Sequence, residues 1–377
     1  MVANYWASTQ CNTWLLSRAE LEATREEDRL YADQVELAAI TTWCINAVLA
    51  ILARRLNLRQ RVMATASVYF QRFYSKNSYC STDPCVVLAT CVYVAAKAEE
   101  SAVRIRTLYG EALKMFTELG YTEFPTHSSA IGEMEFYLLE ELEFDLIIFH
   151  PYTDLQKLCA PSTEILGAGA RIDGADHGAG AASGRTGPAA PVASGPSQPE
   201  HATDLSAQAD GSVPGEYAGN PSLAGARPPD SGAQLLQMAW LVANDMYRTD
   251  LPLQHPPYVL AVACVYLALA LLPAGAQRID ASVAQASVPG EPRTDLVGAL
   301  AGLNVSLSLV ASVVQEMQSS YELWHQLQRV GLAAERSKGL GKVCLDMFAR
   351  LKRMHTARRE ALLRHVAGDA MAGGAMG

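Results

Sequence analysis

The fold is decided by the stretch Pro84-Cys-Val-Val-Leu-Ala-Thr-Cys-Val-Tyr-Val-Ala95, which aligns without a gap on Pro257-Tyr-Val-Leu-Ala-Val-Ala-Cys-Val-Tyr-Leu-Ala268. Each stretch begins with a proline, which suits the first turn of a helix because an N–H at that position has no intrahelical partner. The small side chains that follow let other helices approach closely, so each stretch predicts a buried central helix. Unless the similarity between two apolar helices is a coincidence, the chain contains two copies of one helical domain.

Patterns of helical spacing surround both copies. In the first copy they predict five helices, namely Val35–Leu56, Gln60–Ser75, Pro84–Glu99, Ile105–Leu119 and Ser128–Glu143. In the second copy they predict Ala233–Tyr247, Pro256–Leu272, a weaker helix from about Arg293, and Leu307–Leu327, with Val343–His365 as a helix that could close the set. No segment convincingly predicts a strand. The fold class is therefore all-α, with two tandem five-helix domains preceded by a short N-terminal helix.

The segment between the two copies has a composition of its own. Residues 161–232 hold 13 of the 27 glycines and 9 of the 18 prolines, and Tyr217 is their single aromatic residue. Such a segment cannot bury enough apolar surface to offset its ordering entropy, so we predict a long disordered linker. The resulting boundaries are 1–34 for the N-terminal helix and extension, 35–160 for the first domain, 161–232 for the linker, 233–333 for the second domain and 334–377 for a basic C-terminal extension.

Charge and hydrophobicity exclude several classes of protein. The formal net charge of −9 argues against generic binding of polyanions, which requires a basic face. The linker carries eight acidic and three basic side chains, and residues 334–377 carry nine basic and four acidic ones, so the net charge belongs to the rest of the chain. Neither apolar repeat reaches the roughly 20 residues that a bilayer span requires, which argues against a membrane protein.

Sequence motifs for catalysis or cofactor binding are missing. None of the eight cysteines forms a C-x-x-C pair, and no paired histidines accompany them, so we predict no metal site. There is no nucleophile–base motif, and the glycine-rich linker lacks the strand and helix that a nucleotide-binding loop requires. We therefore predict a non-enzymatic protein without a cofactor.

Motifs in the first copy point to a family. They are Leu58-Arg-Gln-Arg-Val-Met-Ala-Thr-Ala-Ser-Val-Tyr-Phe-Gln-Arg-Phe-Tyr74, Ala95-Ala-Lys-Ala-Glu-Glu100 and Met134-Glu-Phe-Tyr-Leu-Leu139, and together they resemble the first box of the cyclins. Asn4-Tyr-Trp6, Trp14-Leu-Leu16, Phe149-His-Pro-Tyr152 and Trp240–Leu251 are similar to the cyclin C group within that family. The resemblance implies two five-helix cyclin boxes in a nuclear protein. It further implies a regulatory subunit that binds and activates a cyclin-dependent kinase of the Mediator kinase module, and so regulates transcription by RNA polymerase II.

The chain departs from the pattern of the cyclins at the start of the first box. Cell-cycle cyclins carry Met-Arg-Ala-Ile-Leu there, and the corresponding stretch is Glu36-Leu-Ala-Ala-Ile40. Without the arginine we do not expect docking of Arg-x-Leu substrates. The linker 161–232 is also far longer than the short connection expected between two cyclin boxes.

The resemblance assigns the central kinase contacts to Lys97 and Glu135. A lysine can donate to exposed carbonyls and a carboxylate can accept amide or arginine donors, although each could instead be an ordinary solvated side chain. Lys97 corresponds to Ala270 in the second copy, so we expect only the first box to dock the kinase. Glu99 and Glu100 either cover a polar helix end, or one of them meets an arginine of the kinase's activation segment in place of a phosphate charge.

Aromatic residues predict two further contact surfaces. Tyr5 and Trp6 belong to a short N-terminal helix that must pack on something, either on the chain itself or against the kinase. We expect Trp6 to be more exposed than Trp14. A second set could form a groove for another Mediator subunit, and its members are Trp240, Asn244, Asp245 and Tyr247. The alternative for this set is a helix end satisfied by its own Asn and Asp side chains.

The role of the basic extension and a second function stay open. Lys352-Arg353 and Arg358-Arg359 are an import signal, a phosphate-binding arm, or one face of a helix that bears Leu351, Leu362 and Leu363. The alternative function is that of a general transcription factor with tandem cyclin-like repeats. Such a factor is expected to show a zinc ribbon and basic DNA-facing helices, which this sequence lacks. We therefore expect neither direct sequence-specific nucleic-acid binding nor a membrane partner.

Overall fold

The computed structural model describes residues 4–160, 231–272, 303, 305–332 and 339–373, and every regular element within these ranges is helical. The N-terminal segment contains one 3-10 turn, Tyr5–Ala7, and the short helices α1 (Thr9–Asn12), α2 (Arg18–Ala23) and α3 (Glu26–Arg29). The first domain contains α4 (Gln34–Trp43), α5 (Ala50–Arg55), α6 (Gln60–Tyr74), α7 (Pro84–Ala98), α8 (Ile105–Glu118), α9 (Ser129–Glu141) and α10 (Tyr152–Leu158). The remaining helices are α11 (Ser231–Met246), α12 (Leu251–Gln254), α13 (Pro257–Leu271), α14 (Leu307–Leu332) and α15 (Gly339–Gly373). None of these helices is long and apolar enough to span a bilayer.

The first copy of the repeat forms α7, the central helix of the first domain. Asp83 caps its N-terminus by accepting the N–H of Cys85 at 2.9 Å, and Pro84 occupies the first turn. The helices α6, α8 and α9 surround it, together with the π-helical segment Cys44–Leu49 that joins α4 to α5. Leu88 at its middle is fully buried, so the prediction of a buried central helix is confirmed.

The second copy forms α13, which packs against α10, α11 and α14. Pro257 occupies its first turn, and Cys264 is fully buried. The prediction of an all-α fold with two tandem domains around the repeat is therefore confirmed. The weaker helix predicted from about Arg293 lies outside the described residues, and so do residues 161–230 of the predicted linker. The last two residues of that predicted linker, 231 and 232, belong to α11, which begins at Ser231.

Hydrogen bonds from the first domain and the N-terminal segment reach the second domain. The buried Gln71 of α6 donates from Nε2 to the carbonyls of Tyr247 and Thr249, at 2.8 and 2.7 Å. The N–H of Leu16 donates to the carbonyl of Leu253 at 2.7 Å. The three parts of the chain therefore share one polar and apolar interface.

The C-terminal extension forms α15, whose apolar side packs on the first domain as well as along α14. The ring of Phe348 lies between those of Trp43 and Tyr121, with centroids 5.0 and 4.5 Å away. The basic side chains of α15 form ion pairs with acidic residues of the N-terminal segment and the first domain. The pairs are Arg350–Glu36 (2.8 Å), Lys352–Glu123 (2.6 Å) and Arg358–Glu27 (2.6 Å). The extension is thus a helix with a basic face, as in the third interpretation, and of its three leucines Leu351 is buried whereas Leu362 and Leu363 are exposed. A role as an import signal or a phosphate-binding arm stays a prediction.

The helix α15 also packs beside the segment of residues 36–40, which stands where cell-cycle cyclins carry their docking motif. Ile40 and Trp43 of α4 are fully buried, and Glu36 is engaged by Arg350. Glu36 and Ile40 line a cavity of about 190 Å³ together with Arg350 and Met354 of α15. The expectation that Arg-x-Leu substrates do not dock here stays a prediction.

Candidate functional site

Packing of α9 against α7 brings Lys97 and Glu135 together at the surface of the first domain. The ammonium group of Lys97 donates to Glu135 Oε1 in a short ion pair, and it lies 4.9 Å from the centroid of the Tyr93 ring. The Lys97 side chain is 47% exposed, whereas that of Glu135 is 15% exposed. The two residues that the resemblance assigned to the kinase contact thus form one unit, whose role stays a prediction.

Large apolar side chains that sequence reasoning missed are exposed on α9 and on the connection that follows it. They are Phe136 (76%), Tyr137 (39%), Phe144 (70%) and Ile147 (68%). Phe136 directly follows Glu135, while α9 turns Leu138 into the core. A signal was present in the run Phe136-Tyr-Leu-Leu139, because one helix face cannot bury four consecutive apolar side chains.

The connection after α9 begins with an unusual turn. Glu143 and Phe144 both have positive φ, of 54° and 60°, a region that bulky residues rarely adopt. The N–H of Phe144 donates to the Leu139 carbonyl at 3.0 Å. Lys76 of α6 donates to the Glu141 carbonyl at 2.9 Å and to Glu143 Oε1 at 2.6 Å. These bonds hold the turn in the conformation that exposes the Phe144 ring.

The neighbouring carboxylates Glu99 and Glu100 have opposite surroundings. Glu99 points into the protein, where it accepts a hydrogen bond from Thr65 Oγ1 at 2.7 Å and pairs with Arg61 at 2.6 Å. Its side chain is 12% exposed and is already engaged by two residues of α6, so Glu99 is less open to a partner than Glu100. Glu100 is exposed and, with a φ of 52°, forms the left-handed end of α7. Glu100 is therefore the carboxylate of this pair that a partner can reach.

Tyr247 lies inside the protein, which corrects its assignment to a surface groove. Its hydroxyl lies 2.5 Å from His150 Nδ1, and His150 Nε2 lies 2.9 Å from Thr65 Oγ1. Burial, together with the charge of Arg61, lowers the pKa of His150 to about 3, so the imidazole is neutral near pH 7. This buried chain of polar groups joins the two domains.

The other three groove residues lie together on α11, beside two tyrosines that sequence reasoning missed. The Trp240 ring stacks on that of Tyr152 with centroids 4.6 Å apart, and the Tyr152 hydroxyl donates to Asn244 Oδ1 at 3.0 Å. The Tyr321 hydroxyl donates to Asp245 Oδ2 at 3.0 Å. Trp240, Asn244, Asp245 and Tyr321 are all partly exposed, so a mixed aromatic and polar surface extends over α11 and α14, with the buried Tyr152 of α10 beneath it.

The N-terminal aromatic residues lie where the two domains meet. Tyr5 packs edge-on against Phe149 with centroids 5.6 Å apart, and Trp6 lies 5.7 Å from the ring of Tyr258 in the second domain. Trp6 is 63% exposed and Trp14 is 2% exposed, which confirms the predicted order of exposure. Trp6 is thus placed to contact a partner, and Tyr5 packs on the chain itself.

No group of three or more His, Cys, Asp or Glu side chains is arranged to hold a metal ion in the part of the chain that the structure describes. The seven cysteines whose side chains the structure describes form no disulfide with one another, and all of them except Cys11 are buried.

Comparison with known proteins adds sequence relatives over nearly the whole chain. The profile of the family described as Cyclin, N-terminal domain, matches residues 14–147. A protein of Mycosarcoma maydis named RNA polymerase II holoenzyme cyclin-like subunit is 40% identical over 414 residues, covering 97% of this chain and 98% of the relative. Cyclin-C of Drosophila melanogaster is 29% identical over 329 residues, covering 86% of this chain and 91% of the relative.

A solved structure shares the architecture. A chain of the CAK complex from Chaetomium thermophilum bound to ATP-gamma-S matches with a TM-score of 0.53 and 15% sequence identity, covering 97% of this chain and 96% of that one. At this identity the likeness concerns the fold alone.

Proposed function

The chain belongs to the cyclin family, and on that premise we propose that it is a cyclin C-like regulatory subunit of a cyclin-dependent kinase that acts in transcription by RNA polymerase II. The observation that carries the proposal is the ion pair between Lys97 of α7 and Glu135 of α9 at the surface. The exposed Phe136 lies on α9 as well, and the exposed Phe144 lies on the connection after it. We call these four residues the docking face.

The docking face has the composition of a protein interface centre. Its exposed rings offer apolar area, and a partner that removes this area from water stabilises the complex. Lys97 is already held by Glu135 and by the Tyr93 ring, so less side-chain entropy is lost when its remaining donors meet carbonyls at the end of a partner helix. The second copy carries Ala270 where the first carries Lys97, which supports docking by the first box alone.

Activation follows from binding one state of the kinase more tightly than the other. A protein kinase is active only when its helix αC and activation segment are correctly placed. A subunit that contacts only that arrangement shifts the equilibrium toward it by its differential affinity, without contributing a catalytic group. The chain thus acts as a non-catalytic activator, and Glu100 contacts an arginine of the activation segment.

The assembly around the kinase is the finer part of the proposal. The relative from Mycosarcoma maydis is named a subunit of the RNA polymerase II holoenzyme, which supports a nuclear role within the Mediator kinase module. The surface of Trp240, Asn244 and Asp245 with Tyr152 and Tyr321 suits a further subunit of that module, because stacked aromatic rings beside fixed polar groups recur at interface centres.

The proposal is tested by purifying the tagged full-length chain from cells and identifying the kinase that accompanies it. The variant Lys97→Ala/Glu135→Ala should lose the kinase. Lys114→Ala is the matched control, because Lys114 forms an exposed ion pair with Glu111 on α8, away from the docking face. Recovery of Mediator subunits without a kinase, or binding of promoter DNA by the purified chain alone, would contradict the proposal and favour a general transcription factor.

A further inference from the structure

We infer that Trp14 is a positioning residue for kinase docking: from the N-terminal segment it fixes the turn of residues 142–147 and so presents the Phe144 ring. This inference rests on the proposed function, in which Phe144 belongs to the docking face. The buried indole of Trp14 would then contribute to docking without contacting the kinase.

The turn requires external support, because its backbone is strained. Glu143 and Phe144 lie consecutively in the left-handed region, which costs each non-glycine residue about 1 kcal/mol or more. The backbone bonds around the turn are all local: Glu143 N–H to Glu140 O at 2.9 Å, Phe144 N–H to Leu139 O at 3.0 Å, Asp145 N–H to Leu142 O at 2.9 Å, and Leu146 N–H to Phe144 O at 3.0 Å. An exposed aromatic ring at such a position keeps its direction only if the surrounding structure determines it.

Trp14 contacts the turn directly. Its Nε1–H donates to Asp145 Oδ2 at 2.9 Å, and its side chain is almost fully buried. A charge-assisted hydrogen bond of this kind is stronger than one between neutral groups. The carboxylate one residue after Phe144 is therefore tied to the N-terminal segment.

Trp14 also orders the two cations that hold the turn's backbone. The guanidinium carbon of Arg72 lies 4.5 Å from the indole centroid, and Lys76 Nζ lies 4.7 Å from it. Arg72 donates to the Asp145 carbonyl at 2.8 Å, and Lys76 donates to the Glu141 carbonyl and to Glu143. The same indole thus contacts the carboxylate of the turn and both side chains that clamp its carbonyls.

The buried charge of Arg72 depends on the indole of Trp14 for one of its contacts. Arg72 is 1% exposed, and its Nε is buried without a hydrogen-bond partner among the described residues. Burial lowers its pKa to about 10, so it stays charged at neutral pH, and its charge needs the indole face and the Asp145 carbonyl. A cavity of about 180 Å³ borders Trp14, Lys76 and Glu143, which gives the cations room to leave the turn once the indole is removed.

The N-terminal segment is itself anchored on both sides of Trp14. Gln10 exchanges two hydrogen bonds with the backbone of Phe149, at 3.2 and 2.6 Å. Leu16 donates to Leu253 in the second domain. Trp14 is therefore held against the turn by the first domain on one side and by the second domain on the other.

The inference is tested by a double-mutant cycle measured as affinity for the purified kinase. Phe144→Ala should weaken binding by at least about tenfold, and Trp14→Ala by about tenfold. The double variant should bind no more weakly than Phe144→Ala alone, because Trp14 acts through the Phe144 ring. Amide hydrogen exchange of residues 143–147 should be faster in Trp14→Ala than in the wild type.

A matched control separates positioning from loss of stability. Trp324→Ala removes a half-buried indole from α14, far in sequence from the turn, and should change neither the affinity nor the exchange of residues 143–147. If Trp14→Ala does not fold, Trp14→Phe takes its place in the same cycle, since it retains a ring for the two cations and loses only the bond to Asp145.

The possible outcomes distinguish the inference from the proposed function. Additive effects of the two substitutions, or unchanged exchange in the turn, would overturn the role of Trp14 and leave the docking face intact. Wild-type affinity in Phe144→Ala would instead contradict the docking face itself, and with it the premise of the inference.

Discussion

Two adjacent carboxylates at the end of α7 differ in their surroundings. The left-handed conformation of Glu100 turns its side chain to solvent, while Glu99 stays on the inner side of the helix end. Thr65 and Arg61, which hold Glu99, come from α6. The order of the residues in the chain cannot distinguish the two, since the distinction depends on contacts with another helix.

We expect Glu100→Lys to reduce the activity of the kinase complex by about tenfold or more, because a charged hydrogen bond contributes about 1.5–3 kcal/mol. The affinity of the chain for the kinase should change by less than about threefold. The activity of the reconstituted complex and the dissociation constant are the two measurements. Glu100→Gly is the control for folding: glycine relieves the left-handed strain, so its unfolding free energy should rise by about 1 kcal/mol. Equal losses of activity and affinity in Glu100→Lys would rule out a contact specific to activation.

The neutral His150 makes stability depend on pH. Its folded pKa is lowered by burial, so the unfolded chain takes up a proton first as the pH falls, and stability is lost below the unfolded pKa of about 6.5. Between pH 7 and pH 5 the wild type should lose about 2 kcal/mol more unfolding free energy than His150→Gln. Urea denaturation at both pH values measures this difference. The variant His127→Gln, at an exposed position, should keep the wild-type dependence; a similar loss in His150→Gln would contradict the assignment.

At the scale of the elements, α15 shows a helix whose two sides have different partners. Leu351 and Met354 are buried whereas Leu362 and Leu363 are exposed, and the cations Arg350 and Arg358 pair with acids of the first domain and the N-terminal segment. Helical spacing predicts such an element, since Leu351 was expected on an apolar face. The surface that it covers depends on the path of the preceding chain, which spacing does not contain.

We expect Phe348→Ala to lower the unfolding free energy by about 3–5 kcal/mol, because it removes a buried ring from between Trp43 and Tyr121. Denaturant unfolding monitored by tryptophan fluorescence reports the change directly, since Trp43 then becomes accessible. Leu363→Ala on the exposed part of the same helix should stay within about 0.5 kcal/mol of the wild type. A small effect of Phe348→Ala would mean that α15 leaves the first domain easily.

The helices of the repeat were predictable and the docking face only in part. Pro84 and Pro257 mark helix starts by local chemistry, so α7 and α13 follow from the sequence. Lys97 and Glu135 were assigned through the motif and lie together. The exposure of Phe144 follows from a strained turn and from donors 65 to 131 residues away along the chain, and no local pattern encodes such contacts.

For the whole molecule, the two domains meet through specific buried groups. Gln71 donates both of its amide hydrogens across the interface, and His150 bonds to Tyr247. The docking face and Trp14 lie on the first domain and its N-terminal segment. The proposed kinase contact therefore lies on one side of this interface, and the composition of residues 161–232 predicts a connection that serves only to join the two domains.

We expect replacement of residues 161–230 by a Gly/Ser linker of about 20 residues to leave kinase affinity unchanged. A shorter flexible connection costs less entropy to close, so the unfolding free energy should rise by about 1 kcal/mol. Affinity for the kinase and urea denaturation are the two measurements. A Gly/Ser linker of the original length is the matched control and should restore the wild-type stability, because closure entropy depends on length rather than on composition. Loss of kinase binding with both linkers would show that residues 161–230 themselves take part in docking.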